Sequence, residues 1–262
     1  MKHRTPKLSS IEKALKILLL FNQQNRGMGT SEISQKLNLH PATASRIIKI
    51  LCQESFLQHN NKSKKFSLGS SVFFLGKSIL KSISGNLLNI AMPILIELCE
   101  EIGETVVLEI MSNENLVVTY IAQGRNSLSV KPNIGDILPI HASPGGKAIL
   151  AFSPLNIVEK LLDKKLEAFT EFTITDKNKL LTQLGEIRKN GVAFCKEEMV
   201  IGVNTIGIPI FNHENKPIAA IVIAGPSTRV KCEINSPLVI ALKKAAKEIS
   251  SQLYHQNSLE KD

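Results

Sequence analysis

The chain has 262 residues, 43% of them hydrophobic, which is enough for two domains of ordinary size that each bury a core. No apolar run approaches the roughly 18 residues of a membrane span, and no long apolar segment follows the basic N-terminus, so a cytoplasmic protein is expected rather than a membrane or secreted one. The net charge of +9 comes from the first third: residues 1–80 carry 13 Lys and Arg against 3 Asp and Glu, whereas residues 81–262 carry 19 against 20. This asymmetry predicts a nucleic-acid-binding domain joined to a second, neutral domain.

Two helices are predicted at the start of the basic region. Apolar residues recur at helical spacing over residues 11–19, and Ser10 is placed to cap that helix. Gly27 and Gly29 break the pattern, after which Thr30 is predicted to cap a second, short helix.

Residues 30–51 predict a helix-turn-helix. Asn38 tolerates the left-handed conformation that a tight turn between helices needs, and Pro41 suits the first turn of the next helix. The inward face of that helix is predicted to consist of Ala44, Ile47, Ile48 and Leu51. Its outward face then carries Thr43, Ser45, Arg46 and Lys49.

Residues 56–68 predict a small β-hairpin, because two apolar ends flank a polar, basic turn. A helix-turn-helix followed by a basic hairpin is a winged helix, which places one helix in the major groove of double-stranded DNA and lysines on phosphates. Arg46 fits two roles equally well, as a base-reading residue or as a phosphate clamp. The residues expected to contact DNA are Thr30, Ser31, His40, Ala42, Thr43, Ser45, Arg46, Lys49, Lys62, Lys64 and Lys65.

The remainder of the chain predicts a linker helix and an α+β domain. Residues 71–90 are predicted as the linker, between a DNA-binding domain at 1–70 and a second domain at 91–262. The linker's apolar stripe, expected to join protomers, is Phe74, Leu75, Ile79, Leu80 and Ile83. In the second domain, strands are predicted at 105–111, 116–123, 205–211 and 218–224. Helices are predicted at 94–102, from Ser143 onward, and at 155–162, 177–189 and 238–253. The two hairpins among these strands require antiparallel pairs, so the fold class is α+β.

The sequence resembles the IclR-type transcriptional regulators over nearly its whole length. In the N-terminal region the matching motifs are I-x-K-A-L-K-I-L from Ile11, T-S-E-I-S-Q-K-L-x-L from Thr30, T-x-S-R-I-I-x-x-L from Thr43 and F-S-L-G from Phe66. In the second domain they are Ile134–Ala151, Lys189–Ile210 and Ile221–Pro226. The chain departs from the pattern at Asn38, where the family usually has Gly, and at Pro144, which stiffens the loop S-P-G-G-K.

The resemblance implies a winged helix-turn-helix joined to a sensor domain related to GAF domains, with a mixed or antiparallel sheet of about six strands. It implies a DNA-binding regulator controlled by a small effector, acting on two-fold operators as a homodimer or tetramer. Most members resemble repressors of catabolic operons, although some activate. Matching by position puts the effector pocket at Ser127, Val130, Pro144, Gly145, Cys195, Val203, Thr205, Val222 and Ala224.

The chemistry of these pocket residues predicts the class of effector. Most of them are apolar, and hydroxyls come only from Ser127 and Thr205, so a small organic acid with an apolar or aromatic body is expected rather than a polyhydroxy acid. The helix N-terminus at Gly145–Lys147 offers N–H groups for an anion.

Other classes of protein remain as alternatives. An enzyme would use Cys195 or His141, but no partner for either is evident, and a DNA-binding protein without a ligand is also possible. Glu197 and Glu198 are interpreted as structural or surface residues, because neighbouring carboxylates in a strand point to opposite faces. The four Cys are scattered and the six His form no ligand pair, so reduced thiols, no metal and no cofactor are expected.

Overall fold

The computed structural model describes residues 9–23, 26–82, 86–112, 114–125 and 132–259. The chain divides into two compact units between Gly85 and Asn86. Within the described residues, no helix combines the length and the apolar character needed to cross a membrane.

The N-terminal unit contains four α-helices, a 3-10 turn and one β-hairpin among its described residues. In chain order these are α1 (Ser10–Leu19), the 3-10 turn (Leu20–Gln23), α2 (Thr30–Lys36), α3 (Pro41–Gln53), β1 (Leu57–Asn60), β2 (Lys65–Leu68) and α4 (Ser70–Ser82). The strands β1 and β2 pair antiparallel, from Leu57 opposite Leu68 to Asn60 opposite Lys65. The predicted helix-turn-helix and hairpin are therefore confirmed.

The starts of the first two helices differ by one residue from the prediction. Ser9, not Ser10, caps α1: its hydroxyl accepts a hydrogen bond from the Glu12 amide at 3.1 Å, and Glu12 in turn accepts from the Ser9 amide at 2.6 Å. Gly29, not Thr30, is the N-cap of α2, and Thr30 is its first residue. Gly adopts the extended cap conformation at little cost, which leaves the Thr30 side chain outside the cap.

The turn and the apolar core of this unit agree with the sequence. Asn38 has a φ of 49°, in the left-handed region. Pro41 is the first residue of α3. The core joins the buried face of α3 to α1, α2 and the first strand, through Ile17, Phe21, Met28, Ile33, Ala44, Ile47, Ile48, Leu51 and Leu57.

The boundary between linker and second domain lies earlier than predicted. Helix α5 runs from Leu87 to Ile102, so the predicted boundary between residues 90 and 91 falls inside it. Leu87 and Ile90 are buried in the core of the C-terminal unit, and they anchor the start of α5 there. Of the predicted apolar stripe, Phe74 and Leu75 are exposed on α4, whereas Ile83 lies outside the described residues.

The described residues of the C-terminal unit form a six-stranded antiparallel sheet with helices on its two faces. Its strands are β3 (Thr105–Ser112), β4 (Asn115–Ala122), β5 (Ile137–Leu138), β6 (Ala193–Lys196), β7 (Val203–Phe211) and β8 (Pro217–Pro226), in the spatial order β5-β4-β3-β8-β7-β6. Its helices after α5 are α6 (Pro144–Ala151), α7 (Leu155–Leu162), α8 (Lys177–Asn190) and α9 (Pro237–Leu259). The α+β fold class is confirmed, and β5 and β6 are two short strands that the sequence did not predict.

Alternation along the strands creates two separate cores. On β3, Val106, Leu108 and Ile110 pack in the larger core with α5 and α9. Helices α6, α7 and α8 share a second core. Val107, on the opposite face of β3 from Val106, packs in a small cluster with Val118 and Val222, and a cavity opens beside this cluster.

Candidate functional site

The outward face of α3 is free of core contacts and carries the polar residues predicted to meet DNA. Ser45, Arg46 and Lys49 are exposed, while Ala44, Ile47 and Ile48 fix the opposite face in the core. Of the predicted DNA contacts, Thr30 and Thr43 are half-buried. The exposed ones are Ser31, His40, Ala42, Ser45, Arg46, Lys49, Lys62, Lys64 and Lys65.

The N-terminus of α3 is capped by a histidine. His40 is the N-cap, and its Nδ1 accepts a hydrogen bond from the Ala42 amide at 3.3 Å. In a neutral ring the other nitrogen, Nε2, then carries the proton. This capping role of His40 was not expected, because histidine is not among the usual N-cap residues.

The hairpin tip is a basic turn whose backbone is held by hydrogen bonds to the Asn60 side chain. Asn60 Oδ1 accepts hydrogen bonds from the Lys62 and Ser63 amides at 3.0 and 3.1 Å, and Lys64 has a φ of 56°. Phe66 ties the hairpin to the helical core through two backbone hydrogen bonds with Met28. Lys62, Lys64 and Lys65 are exposed, and none of them forms an ion pair with another described residue.

Replacing one lysine of this tip with alanine is expected to make DNA binding less sensitive to salt. Each phosphate contact releases condensed counterions, so Lys62→Ala should reduce the slope of log K against log salt by about 1 per half-site. Fluorescence anisotropy over a salt series measures this slope, with the exposed Lys243→Ala of α9 as the control. An unchanged slope would show that the hairpin tip stays in solvent.

The cavity in the C-terminal unit has a volume of about 250 Å³. The sheet register brings its lining together, because Thr205 pairs with Ala224 and Val107 pairs with Val222. Five residues of the predicted effector pocket line it: Pro144, Val203, Thr205, Val222 and Ala224.

The other predicted pocket residues are placed differently. Gly145 is buried at the start of α6, where an added Cβ would overlap Glu109 Oε2. Cys195 is buried on β6 opposite Thr205, and it is not part of the cavity lining. Ser127 and Val130 lie outside the described residues.

The polar lining includes groups that sequence reasoning missed. Glu109 is 3% exposed, and its Oε2 accepts a hydrogen bond from Ser143 Oγ at 2.7 Å. Burial raises the pKa of the Glu109 carboxyl to about 7, and the hydrogen bond from Ser143 opposes this rise only in part. Asp136 and Glu198 also line the cavity. The sequence feature that could have identified Glu109 is its position as the single carboxyl inside the apolar strand T-V-V-L-E-I-M.

A buried ion pair holds the first turns of α6 against the segment after β6. Lys147 is completely buried, and its Nζ lies 2.6 and 2.7 Å from the two carboxylate oxygens of Glu198. The assumption that Glu197 and Glu198 lie in a strand is wrong, because β6 ends at Lys196 and Glu197 has a φ of 57°. This left-handed residue turns the chain so that Glu198 points inward. The buried ion pair of Glu198 is consistent with the structural role expected of it.

Cys195 and His141, the two residues that an enzyme was expected to use, are both buried. Burial raises the pKa of the Cys195 thiol, which disfavours the reactive thiolate. His141 is buried, and its Nε2 lies 2.9 Å from the carbonyl oxygen of Glu167. The Cys195 thiol lies beside the Lys147–Glu198 pair, whose opposite charges shift its pKa in opposite directions.

A winged helix-turn-helix with an exposed polar recognition face, together with an α+β unit that encloses a cavity, defines a DNA-binding transcriptional regulator with an effector domain. The family model described as "IclR helix-turn-helix domain" matches residues 10–61, and "Bacterial transcriptional regulator IclR C-terminal" matches residues 80–251. The chain therefore belongs to the IclR family of transcriptional regulators, as the resemblance implied.

Individual relatives cover almost the whole chain. The transcriptional repressor IclR of Escherichia coli strain K12 is 33% identical over 250 residues, which are 94% of this chain and 90% of the relative. The acetate operon repressor of Salmonella typhimurium is 31% identical over 249 residues, 94% of this chain and 90% of that one. The crystal structure of the Thermotoga maritima IclR is similar with a TM-score of 0.78 at 28% identity, covering 94% of this chain and 98% of the other.

Proposed function

We propose that this regulator represses a catabolic operon by binding a two-fold operator as a homodimer or tetramer, and that a small organic acid in the cavity of the C-terminal unit controls the binding. The repressor role is supported by the two curated relatives, both named as repressors. The protein would act in the cytoplasm, where the operator is.

The proposal that the protein binds DNA rests on the exposed face of α3. An α-helix fits the major groove, and small side chains such as Ala42 and Ser45 allow close approach to base edges. Arg46 lies between them and Lys49, where it can reach a guanine or a phosphate. The hairpin lysines add affinity that does not depend on sequence.

The lining of the cavity supports an effector with an apolar body. Val107, Leu138, Val222 and Ala224 contribute apolar wall, and Ser143 and Thr205 are the hydroxyl residues of the described lining. A polyhydroxy acid would leave several hydroxyls without partners, at about 1–3 kcal/mol each. A small acid with an aliphatic or aromatic body avoids this loss.

Selection of operator DNA tests the proposal. The full chain is incubated with fragmented genomic DNA, bound fragments are sequenced, and a panel of small acids is then added to the complex. A two-fold site upstream of a catabolic operon, with affinity changed by an acid, is expected. Ala224→Phe fills the cavity beside Thr205 and should keep operator binding while losing the response. Binding without sequence preference would contradict the regulator, and an unaltered response of Ala224→Phe would contradict the location of the effector.

The apolar surfaces of α1 and α4 are expected to join protomers. Phe73, Phe74 and Leu75 are 68%, 62% and 55% exposed, and Ile11 is 74% exposed on α1. We expect the chain to sediment as a dimer or larger at micromolar concentration, and Leu75→Arg to shift it towards monomer and weaken operator binding. A monomeric wild-type chain with full operator binding in analytical ultracentrifugation would contradict this expectation.

A further inference from the structure

The cavity wall offers a carboxyl, not a cation, to an acid ligand. Glu109 belongs to the lining, on the same face of β3 as Val107. Among the described residues that line the cavity there is no Lys, Arg or His. From the described lining, a ligand carboxylate that enters the cavity receives no side-chain cation, although burying an unpaired charge is costly.

Glu109 also lies beside the N-terminus of α6, where an anionic ligand was expected. Ser143 is the N-cap of α6 but makes no side-chain cap hydrogen bond, and its hydroxyl donates to Glu109. Pro144 has no N–H, and the Glu109 carboxyl lies so close to Gly145 that a Cβ there would overlap it. The first turn of α6 is thus in contact with the chain's own carboxyl, and an acid ligand has to bind against that group.

None of the described groups around Glu109 forms an ion pair with it. The titratable residues of α6, of the described segment before it and of the segment around β6 are Asp136, His141, Lys147, Cys195, Lys196, Glu197 and Glu198. Lys196 is exposed, Glu197 accepts a hydrogen bond from the Gly202 amide, and neither lines the cavity. The Lys147 ammonium is held by both oxygens of Glu198. Asp136 accepts a hydrogen bond from the Asn133 amide at 2.7 Å and is itself a carboxyl.

The remaining two titratable groups and the flanking strands add no cation either. His141 is directed to the carbonyl of Glu167, and burial keeps the Cys195 thiol protonated by raising its pKa. On the sheet, Glu109 pairs with Val118 and Ala220, which carry no charge.

The proton is available at neutral pH. Because burial raises the pKa of Glu109 to about 7, the carboxyl gains or loses a proton there at little cost. An anion placed beside it favours the protonated form. A carboxylic acid and a carboxylate can then share one short, charge-assisted O–H···O hydrogen bond.

We propose that Glu109 is the specificity residue of the effector cavity: its protonated carboxyl donates a hydrogen bond to the carboxylate of the effector, so that an organic acid binds together with one proton. The inference rests on the proposed function, since it takes the cavity and its acid ligand as given. No bond other than this hydrogen bond forms, and the proton comes from solvent.

The direction of the pH dependence follows from which state binds. A free carboxylic acid has a pKa near 4, so the ligand is ionised throughout the range from about pH 6 to 8. Below pH 7 the free protein already holds the proton, and the dissociation constant is constant. Above pH 7 binding takes up a proton, and the dissociation constant rises by up to tenfold per unit, or about tenfold in total between pH 6 and 8.

Isothermal titration calorimetry of the full chain tests this, with benzoate and 3-phenylpropionate as probe acids and benzamide and benzylamine as uncharged and cationic counterparts. Titrations at about pH 6 and 8 in buffers of different ionisation enthalpy give the proton count, which we expect to approach one at the higher pH. Glu109→Gln keeps an N–H donor that cannot ionise, and should bind the acids with affinity independent of pH. Asp136→Asn is the matched control, because Asp136 is the other lining carboxyl that forms no ion pair with a described residue. This variant should keep the tenfold dependence of the dissociation constant on pH.

Several outcomes would overturn the proposal. These are acid binding without proton uptake at the higher pH, a Glu109→Gln variant that keeps the dependence, and preference for benzylamine with proton release. Failure of every probe acid to bind at millimolar concentration would also overturn it. Operator binding is measured in parallel by fluorescence anisotropy. An acid that binds and changes operator affinity without proton uptake leaves the proposed function intact and removes only the role of Glu109.

Discussion

Replacement of Lys147 by methionine is expected to lower the free energy of unfolding of the C-terminal unit by about 3–5 kcal/mol, as for other buried ion pairs broken on one side. Methionine keeps much of the shape of the lysine chain but removes the ammonium. The Glu198 carboxylate, now 4% exposed, would then stay buried without the cation that contacts both of its oxygens. Urea denaturation of the full chain followed by circular dichroism measures the loss.

Two variants separate this loss from a general effect of mutation. Lys147→Met combined with Glu198→Leu removes both charges and should recover most of the stability, because no unpaired charge is left. Lys164→Met breaks the exposed pair with Glu114, whose atoms lie 2.7 Å apart, and should cost less than about 1 kcal/mol. A double variant as unstable as the sum of its single variants would show that the pair contributes through packing alone.

The helix-turn-helix could be predicted because its determinants are local. Asn38 and Pro41 are residues whose backbone preferences match the turn and the helix start, and the spacing of Ala44, Ile47 and Ile48 defines the buried face. Even the missed cap was visible, since Ser9 and Glu12 have the spacing of a capping box. Of the two adjacent serines, Ser9 is the cap because Glu12 lies three residues after it and completes the capping box.

The domain boundary and the short strands depend on distant contacts. Helical periodicity shows that Leu87 and Ile90 are buried, but it does not show which core receives them. Strand β6 has four residues and lies at the edge of the sheet. It pairs only with β7, so it is identified by its hydrogen bonds to that strand. Such a segment has too few residues for an alternating pattern to identify it.

The cavity could be predicted in outline and not in its electrostatics. The positions of Val222, Ala224 and Thr205 followed from resemblance and lie in the lining. The contact between Glu109 and Ser143 joins residues 34 apart in sequence, and that between Lys147 and Glu198 joins residues 51 apart. Propensity and periodicity contain no information on such pairs. The polar contacts at and beside the cavity could therefore be identified only from the three-dimensional structure.

Replacement of Arg46 by alanine is expected to weaken operator binding by about 1–3 kcal/mol per half-site, which for a two-fold site compounds to a loss of roughly 30-fold or more. The side chain is exposed on α3, opposite the buried Ala44, Ile47 and Ile48. If it bonds a guanine bidentately, the loss falls on one base position in each half-site. Anisotropy titrations against the operator and its single-base variants measure both the affinity and the preference at that position.

The conservative variant Arg46→Lys distinguishes a base-reading residue from a phosphate clamp. Lysine keeps the positive charge but not the planar fork of donors, so it should restore affinity at a phosphate and fail to restore preference at a guanine. Lys49→Ala, on the same exposed face, is the control for charge alone and should weaken all sequences equally. If Arg46→Ala binds the operator as the wild type does, Arg46 lies outside the interface, and the orientation proposed for α3 in the major groove is wrong.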